Sequence, residues 1–367
     1  MLRHKGFENV EVFQSFLKTV FPSDVYYSCA YYENPEEEMT AKNWKGADLI
    51  FDIDADHIPT PCDRQHDTWQ CKNCGKSGHG AKPRKCPKCK DQRFTSLSWP
   101  CDICLESAKK ETIKLAEFLD SDFGFSPKEM TVAFSGHRGY HVQIENDSVK
   151  ALDAMARKEI VDYLMGTGLE PTLHYFDPKK AWGSNLEDLG WGGRIARGTY
   201  ELLSETREQL QEDGLKKIPE DINLQRKRIL ERWKEKGPWG LVKGVGLETW
   251  DKIIRHAIER QSVKIDTVVT ADIHRLIRLK NTLHGETGLL KIEVPIDEIE
   301  RFDPFNRAVA FSEGVMTVDV SDAPRFRLED NFYGPYKNQR IELPTAAAMM
   351  LLCKGAAKIV EEKTVVQ

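Results

Sequence analysis

Seven of the chain's nine cysteines fall between residues 62 and 104, and that clustering constrains the fold more than any other feature. The chain starts "MLRHKGFENVEVF", without the apolar region of a secretory leader, and no run approaches the ~18 apolar residues of a membrane span. A cytoplasmic protein with no membrane association is expected, and in that setting grouped cysteines argue for metal rather than disulfides. Cys71-Lys-Asn-Cys74 and Cys86-Pro-Lys-Cys89 are separated by eleven residues, the pattern of a zinc ribbon. Tetrahedral ligation by four thiolates closes a structural site. Cys62, Cys101 and Cys104 remain, with His66 well placed as their fourth ligand and His79 as its rival. The expectation is two structural zinc ions, with the ribbon nested inside the loop of the outer site. Cys29 and Cys353 read as small buried hydrophobes.

The net charge of -5 advertises no polyanionic partner, but the distribution is uneven. Between Lys72 and Arg93 the ribbon carries eight basic residues against one acid, Asp91. Such a patch suits contact with nucleic-acid phosphates as well as it suits a solvated face.

The stretch "ADLIFDIDADH", residues 47–57, ends an apolar run with Asp52, Asp54 and Asp56 at alternate positions. In a strand these three project from one face while Phe51 and Ile53 point the other way. Like charges this close stay ionised together only with something positive between them. Taken alone, the same residues also fit a strand running out into a polar turn, with His57-Ile58-Pro59 as the bend.

With 367 residues, 40% apolar and 30% charged, the chain has the composition of a globular protein of two or three structural units. Apolar periodicity predicts helices over 5–19, 107–124 and 151–166, a β-rich segment over 24–32, and two strands around a glycine turn over 130–145. From 182 to 260 strand signals give way to charged helical stretches such as 221–237. Strand character returns at "VKIDTVV" (263–269), followed by an amphipathic helix, "ADIHRLIRL" (271–279), and the tail over 341–362 reads as mostly a helix packing back on the core. The expected fold class is α/β, of the α+β kind. Its core is expected in residues 1–61, 105–181 and 261–367, a zinc-binding module in 62–104 and a helical insertion in 182–260.

"SGHRGYH", residues 135–141, sets a hydroxyl, a guanidinium and two imidazoles around a tight turn. Arg138 offers a planar fork for phosphate, and Ser135, the glycine amides and His141 offer hydrogen bonds. It is not a P-loop, since G-x4-G-K-[ST] is missing. "RLIRLKNTLHGETG" adds two arginines and another histidine beside glycine.

Together these pieces resemble the catalytic (small) subunit of archaeal and eukaryotic DNA primase. The resemblance rests on D-x-D ending a strand, S-G-x-R-G-x-H in a hairpin, and a separate Asp upstream of R-L-I-R-L and L-H-G-x-T-G. A Cys/His zinc knuckle just after the D-x-D and "GPY…ELP" near the C terminus complete it. It implies a primase-polymerase catalytic core that synthesises short primers de novo on single-stranded DNA. Asp52, Asp54 and Asp266 are then the metal-binding catalytic aspartates, holding two Mg²⁺ or Mn²⁺ ions. Ser135, Arg138, His141, Arg278 and His284 are the residues that hold the incoming nucleoside triphosphate. A primase large subunit is the implied partner, and the third aspartate of the run, Asp56, is left to turn chemistry or a supporting role. Two departures stand out. Glu286 occupies a position where relatives often carry lysine, and the preceding segment with an R-E-F-type motif, usual in the family, does not precede "MLRHKGF". A repair or mobile-element primase-polymerase shares these motifs; a zinc-ribbon nucleic-acid-binding protein or a metal-dependent nuclease would not need both the third Asp and the triphosphate cradle.

Overall fold

The computed structural model describes residues 2–360 apart from 59, 61, 63–65, 81, 172–174, 178–181, 206–225, 232 and 234–245. The chain divides into two compact units, one formed by residues 1–113, 127–157 and 265–367 and the other by 114–126 and 158–264.

The first unit begins with the helix Val10–Val20, later than periodicity predicts, because Asn9 caps it by accepting the Val12 N–H. Strands β1 (Tyr26–Ser28), β2 (Ala30–Tyr32), β3 (Trp44–Ala47) and β4 (Leu49–Asp54) follow. Next come β5 (Thr68–Cys71), β6 (Ser77–His79) and β7 (Phe94–Leu97), the helix Asp102–Ser121, whose residues from 114 onward belong to the second unit, and the hairpin of β8 (Met130–Phe134) and β9 (Gly139–Ile144). β4 is one edge of a four-stranded antiparallel sheet whose other edge, the short strand of residues 292–293, pairs with β8. Leu49, Phe51 and Ile53 are fully buried on one face of β4, so Asp52 and Asp54 are turned to the other. β4 and β9 approach so closely that a Cβ on Gly139 would lie 2.1 Å from the Ile53 carbonyl oxygen; only glycine fits opposite Asp54.

In the second unit β10 (Phe176–Asp177) and β11 (Trp182–Gly183) form a two-stranded ribbon, so a short strand interrupts the stretch read as free of strands. The helices Gly190–Ser204 and Leu247–Gln261 bury Trp191, Ile195, Trp250 and Ile254. Arg194 lies over the Phe118 ring and pairs with Asp122 at 3.0 Å. The helix expected over 221–237 lies largely outside the described residues.

Back in the first unit, two expectations fail. Residues 263–269 are not a strand: the Asp266 side chain accepts the Val268 N–H and caps a short helix, Thr267–Ala271. Residues 271–279 are not a helix: β12 (Leu276–Arg278) pairs with β1, placing Tyr26 opposite Arg278. The three-and-four spacing of Ile273, Leu276 and Ile277 mimics a helical stripe, but the pairing buries Ile277 alone against Cys29, Ile50 and Val269. After β13 (Ile292–Glu293) the chain forms β14 (Val315–Ala323), β15 (Phe326–Leu328), β16 (Asn331–Tyr333) and β17 (Tyr336–Pro344). The tail is only partly helical: β17 runs to Pro344, the helix occupies Thr345–Cys353, and β18 (Ala357–Ile359) joins β14. Cys29 is buried as expected, whereas Cys353 is only half-buried.

Candidate active site

Strand periodicity places Ile50, Asp52 and Asp54 on the wall of a cleft of about 180 Å³. His141 stands opposite Asp52 in the β4–β9 ladder, with its Nε2 3.4 Å from Asp52 Oδ1. The turn between β8 and β9 is closed by the Ser135 N–H donating to the Gly139 carbonyl at 2.9 Å, and Gly136 takes a φ of +89°. That turn brings Ser135 and His137 into the cleft, while β12 contributes Arg278, Arg275 stands just before that strand, and His284 completes the wall.

Asp266 reaches the same strand from the far end of the sequence. Its N–H donates to the Asp52 carbonyl at 2.9 Å, and its carboxylate lies 3.9 Å from His57. Burial, and then the neighbouring Asp54 and Asp266 carboxylates, push Asp52 up to about 7. Burial also raises Asp54, against the opposing charge of Arg138. Asp52 and Asp54 therefore crowd one end of the cleft, and Asp266, which acts on Asp52 from outside the lining, leaves their negative charge incompletely matched. The other walls are rich in nitrogen donors.

His137, His141 and His284, which line the cleft, are neutral. Burial holds His141 well below its ordinary value, and its buried Nδ1 has no partner among the described residues. Burial, then Arg278 and Lys354, lowers His284 to about 4. His137 stacks on His284 with ring centroids 5.0 Å apart, and its Nε2 accepts from the Lys354 ammonium at 3.0 Å. Arg278 donates to Asp24 at 2.7 Å, to the Leu283 carbonyl and to the Tyr26 hydroxyl.

Of the residues singled out in the sequence, Asp52, Asp54, Ser135, His141, Arg278 and His284 line the cleft; Asp266 and Arg138 do not. Arg138 is 1% exposed, with its guanidinium held between Asp67, at 2.9 Å, and Asp56. The third aspartate of the run is thus an arginine partner. Sequence reading passed over His137, Arg275 and Lys354. The first two sit in quoted motifs, but Lys354 carries no local signal.

The cysteines gather in two groups. Cys62, His66, Cys101 and Cys104 form one and Cys71, Cys74, Cys86 and Cys89 the other, with all ligand atoms in each group within 4.8 Å of one another. His79 is on β6, opposite Thr68, and belongs to neither. Both ribbon turns share one geometry: Gly75 and Lys90 have positive φ, and each N–H returns to the first cysteine of its pair at 3.0 Å. Either group could hold a metal ion.

The family model described as DNA primase small subunit matches residues 97–297, a span that takes in the hairpin and Asp266. The chain belongs to the DNA primase small subunit family. Relatives named DNA primase small subunit PriS align over nearly its whole length. The protein of Methanothrix thermoacetophila is 33% identical over 98% of this chain and 89% of its own. That of Nitrosopumilus maritimus is 30% identical over 98% and 88%, and that of Archaeoglobus fulgidus 34% over 97% and 86%. This chain is accordingly a DNA primase, a nucleotidyltransferase of DNA replication that synthesises primers, on an α+β fold. Among the described residues of this primase no helix is long and apolar enough to cross a membrane.

Proposed function

We propose that this primase starts chains without a primer on single-stranded DNA, joining nucleoside triphosphates by phosphoryl transfer at Asp52, Asp54 and Asp266. The observation that carries this reading is the crowding of those carboxylates. A group raised to about 7 by burial and two like charges is one that a bound cation would return to its ionised form. An all-oxygen donor set suits Mg²⁺ or Mn²⁺. When bound, two such ions supply the charge that stabilises the attacking and leaving oxygens. The chain's own residues do the positioning. Ser135 and the neutral His137, His141 and His284 offer hydrogen bonds to phosphate oxygens. Arg275 and Arg278 provide positive charge on the opposite wall, and Arg138 supports Asp54 from behind.

The two cysteine groups fit zinc. Their sulfurs lie 3.3 to 3.6 Å apart, as Cys62–Cys104, Cys101–Cys104, Cys71–Cys89 and Cys74–Cys86. That is far beyond a disulfide bond and near the ~3.8 Å edge of a tetrahedron built on ~2.3 Å zinc–sulfur bonds. We assign them two structural zinc ions, give the ribbon's basic side chains a role in holding template phosphates, and expect a primase large subunit as partner. The test is incubation of single-stranded template with labelled nucleoside triphosphates, no primer, and magnesium or manganese. Short products that vanish in Asp266→Asn support the reading; products equally abundant in that variant overturn it. Full activity that gains nothing from added large subunit favours a stand-alone repair enzyme instead.

A further inference from the structure

We propose that Asp67 is a positioning residue that links the outer Cys₃His site to the nucleotide cleft, so that metal occupancy and nucleotide binding influence each other. The inference rests on the cleft reading above and on five contacts in series. His66 directs Nε2 to the cysteines, 3.4 Å from Cys104 Sγ, and Nδ1 to Asp67 Oδ1 at 2.7 Å. The same carboxylate accepts from Arg138 Nη1 through both oxygens, at 3.0 and 2.9 Å. Arg138 Nη2 pairs with Asp56, whose N–H is held by Asp54 Oδ1 at 2.9 Å. The Arg138 carbonyl accepts the Ala55 N–H at 3.2 Å, tying the hairpin to the end of β4.

Burial makes this chain of contacts consequential. The side chains of His66, Asp67 and Arg138 are 8%, 14% and 1% exposed. Little water is available to replace a lost partner, so each group's orientation depends on its neighbour. A ligating imidazole needs its proton on the nitrogen away from the metal, and a carboxylate receiving that proton fixes ring and tautomer together. Asp67 performs that service for His66 and is also one of the two carboxylates that hold the guanidinium at the base of the hairpin. Displacing His66 therefore disturbs Arg138. Whatever binds at the hairpin must in turn steady His66, because coupling between two binding events is reciprocal.

The experiment follows metal release, not synthesis alone. Full-length protein is given a coloured zinc chelator with and without magnesium and a nucleoside triphosphate, and nucleotide binding is measured separately by equilibrium titration. In the parent, nucleotide should slow the loss of one of two zinc equivalents several-fold. Asp67→Asn should release that equivalent about tenfold or more faster, lose the protection by nucleotide, and bind nucleotide several-fold more weakly. If Asp67→Asn does not fold, Arg138→Lys carries the test and should likewise lose the protection. Nucleotide that binds the parent but leaves both release rates unchanged overturns the linkage and leaves the cleft reading intact. Nucleotide that fails to bind the parent at all overturns the cleft reading, and the inference with it.

Discussion

Asp52 and His141 face each other across the β4–β9 ladder, a carboxylate raised to about 7 against an imidazole that burial keeps neutral. Neither can neutralise the other near pH 8, where the aspartate is ionised and the histidine uncharged. Asp52 ordinarily titrates at 3.8, so between that value and about 7 the folded chain holds a proton that the unfolded chain has released. Stability therefore falls as pH rises through that window and stays low above it. Asp52→Asn should remove this loss, on the order of 2–4 kcal/mol. Its advantage over the parent in Tm should widen from pH 5 to pH 7, while primer synthesis disappears. Magnesium should raise the Tm of the parent at pH 8 and leave that of the variant almost unmoved. Thermal unfolding across pH with and without the ion checks both, and parallel curves would contradict the electrostatic account.

Asp266→Asn separates charge from structure. Asparagine can still accept the Val268 N–H and cap Thr267–Ala271, because it keeps a side-chain carbonyl. The variant should unfold within about 1 kcal/mol of the parent and yet lose about 100-fold or more of its primer synthesis. Near-parental activity would remove Asp266 from the site and turn attention to Asp272.

Lys354 gives nucleotide use its own pH dependence. Burial lowers this ammonium to about 8, and its side chain is 1% exposed. Below that pH it is charged and donates to His137; above it the positive charge is lost. The KM for nucleoside triphosphate should rise several-fold between pH 7 and pH 9, with kcat much less affected. Lys354→Gln should abolish the dependence. Stability runs the opposite way: unfolded lysine keeps its proton to 10.5, so raising pH from about 8 to 10.5 should stabilise the fold.

The ribbon should be removable at a defined rung. Thr68 pairs with Leu97 across β5 and β7, so Trp69–Ser96 can be replaced by a short Gly/Ser turn. Trp99 has to stay, since it is buried against Phe326 with ring centroids 5.4 Å apart. The shortened protein should fold with one zinc where the parent has two. It should bind single-stranded template more weakly and with a shallower salt dependence, because fewer phosphates are neutralised. Metal analysis and binding isotherms at several salt concentrations decide it; an unchanged salt slope would free the ribbon of any template role.

How much of this is legible in the sequence depends on how local each signal is. The ligand groups, the D-x-D strand and the S-G-H-R-G-Y-H hairpin are marked by local spacing, and the structure gathers the ligands in two groups and brings Asp52, Asp54, Ser135 and His141 into one cleft, while Arg138 is held by Asp67 and Asp56 instead. Residues 271–279 mislead because nine residues cannot separate a helical stripe from a strand, and the deciding partner, β1, lies some 250 residues earlier. The Lys354–His137 contact spans 217 residues. Asp56 reads as turn chemistry or a supporting residue, and Asp67 carries no signal of its own, until Arg138 is placed between them.

The rung between Thr68 and Leu97 also bears on the order in which the chain organises itself. His66 and Cys101 are 35 positions apart in the sequence, but once the rung has formed the shortest path between them is about seven steps. Loop-closure entropy scales as (3/2)RT ln n, so that shortening lowers the cost of bringing the outer ligands together by about 1.4 kcal/mol. The inner ribbon closes a short local loop and needs no such help. Refolding with limiting zinc should therefore fill the ribbon first, and the outer site, packed against Ala55 at the end of β4, should assemble as the later event.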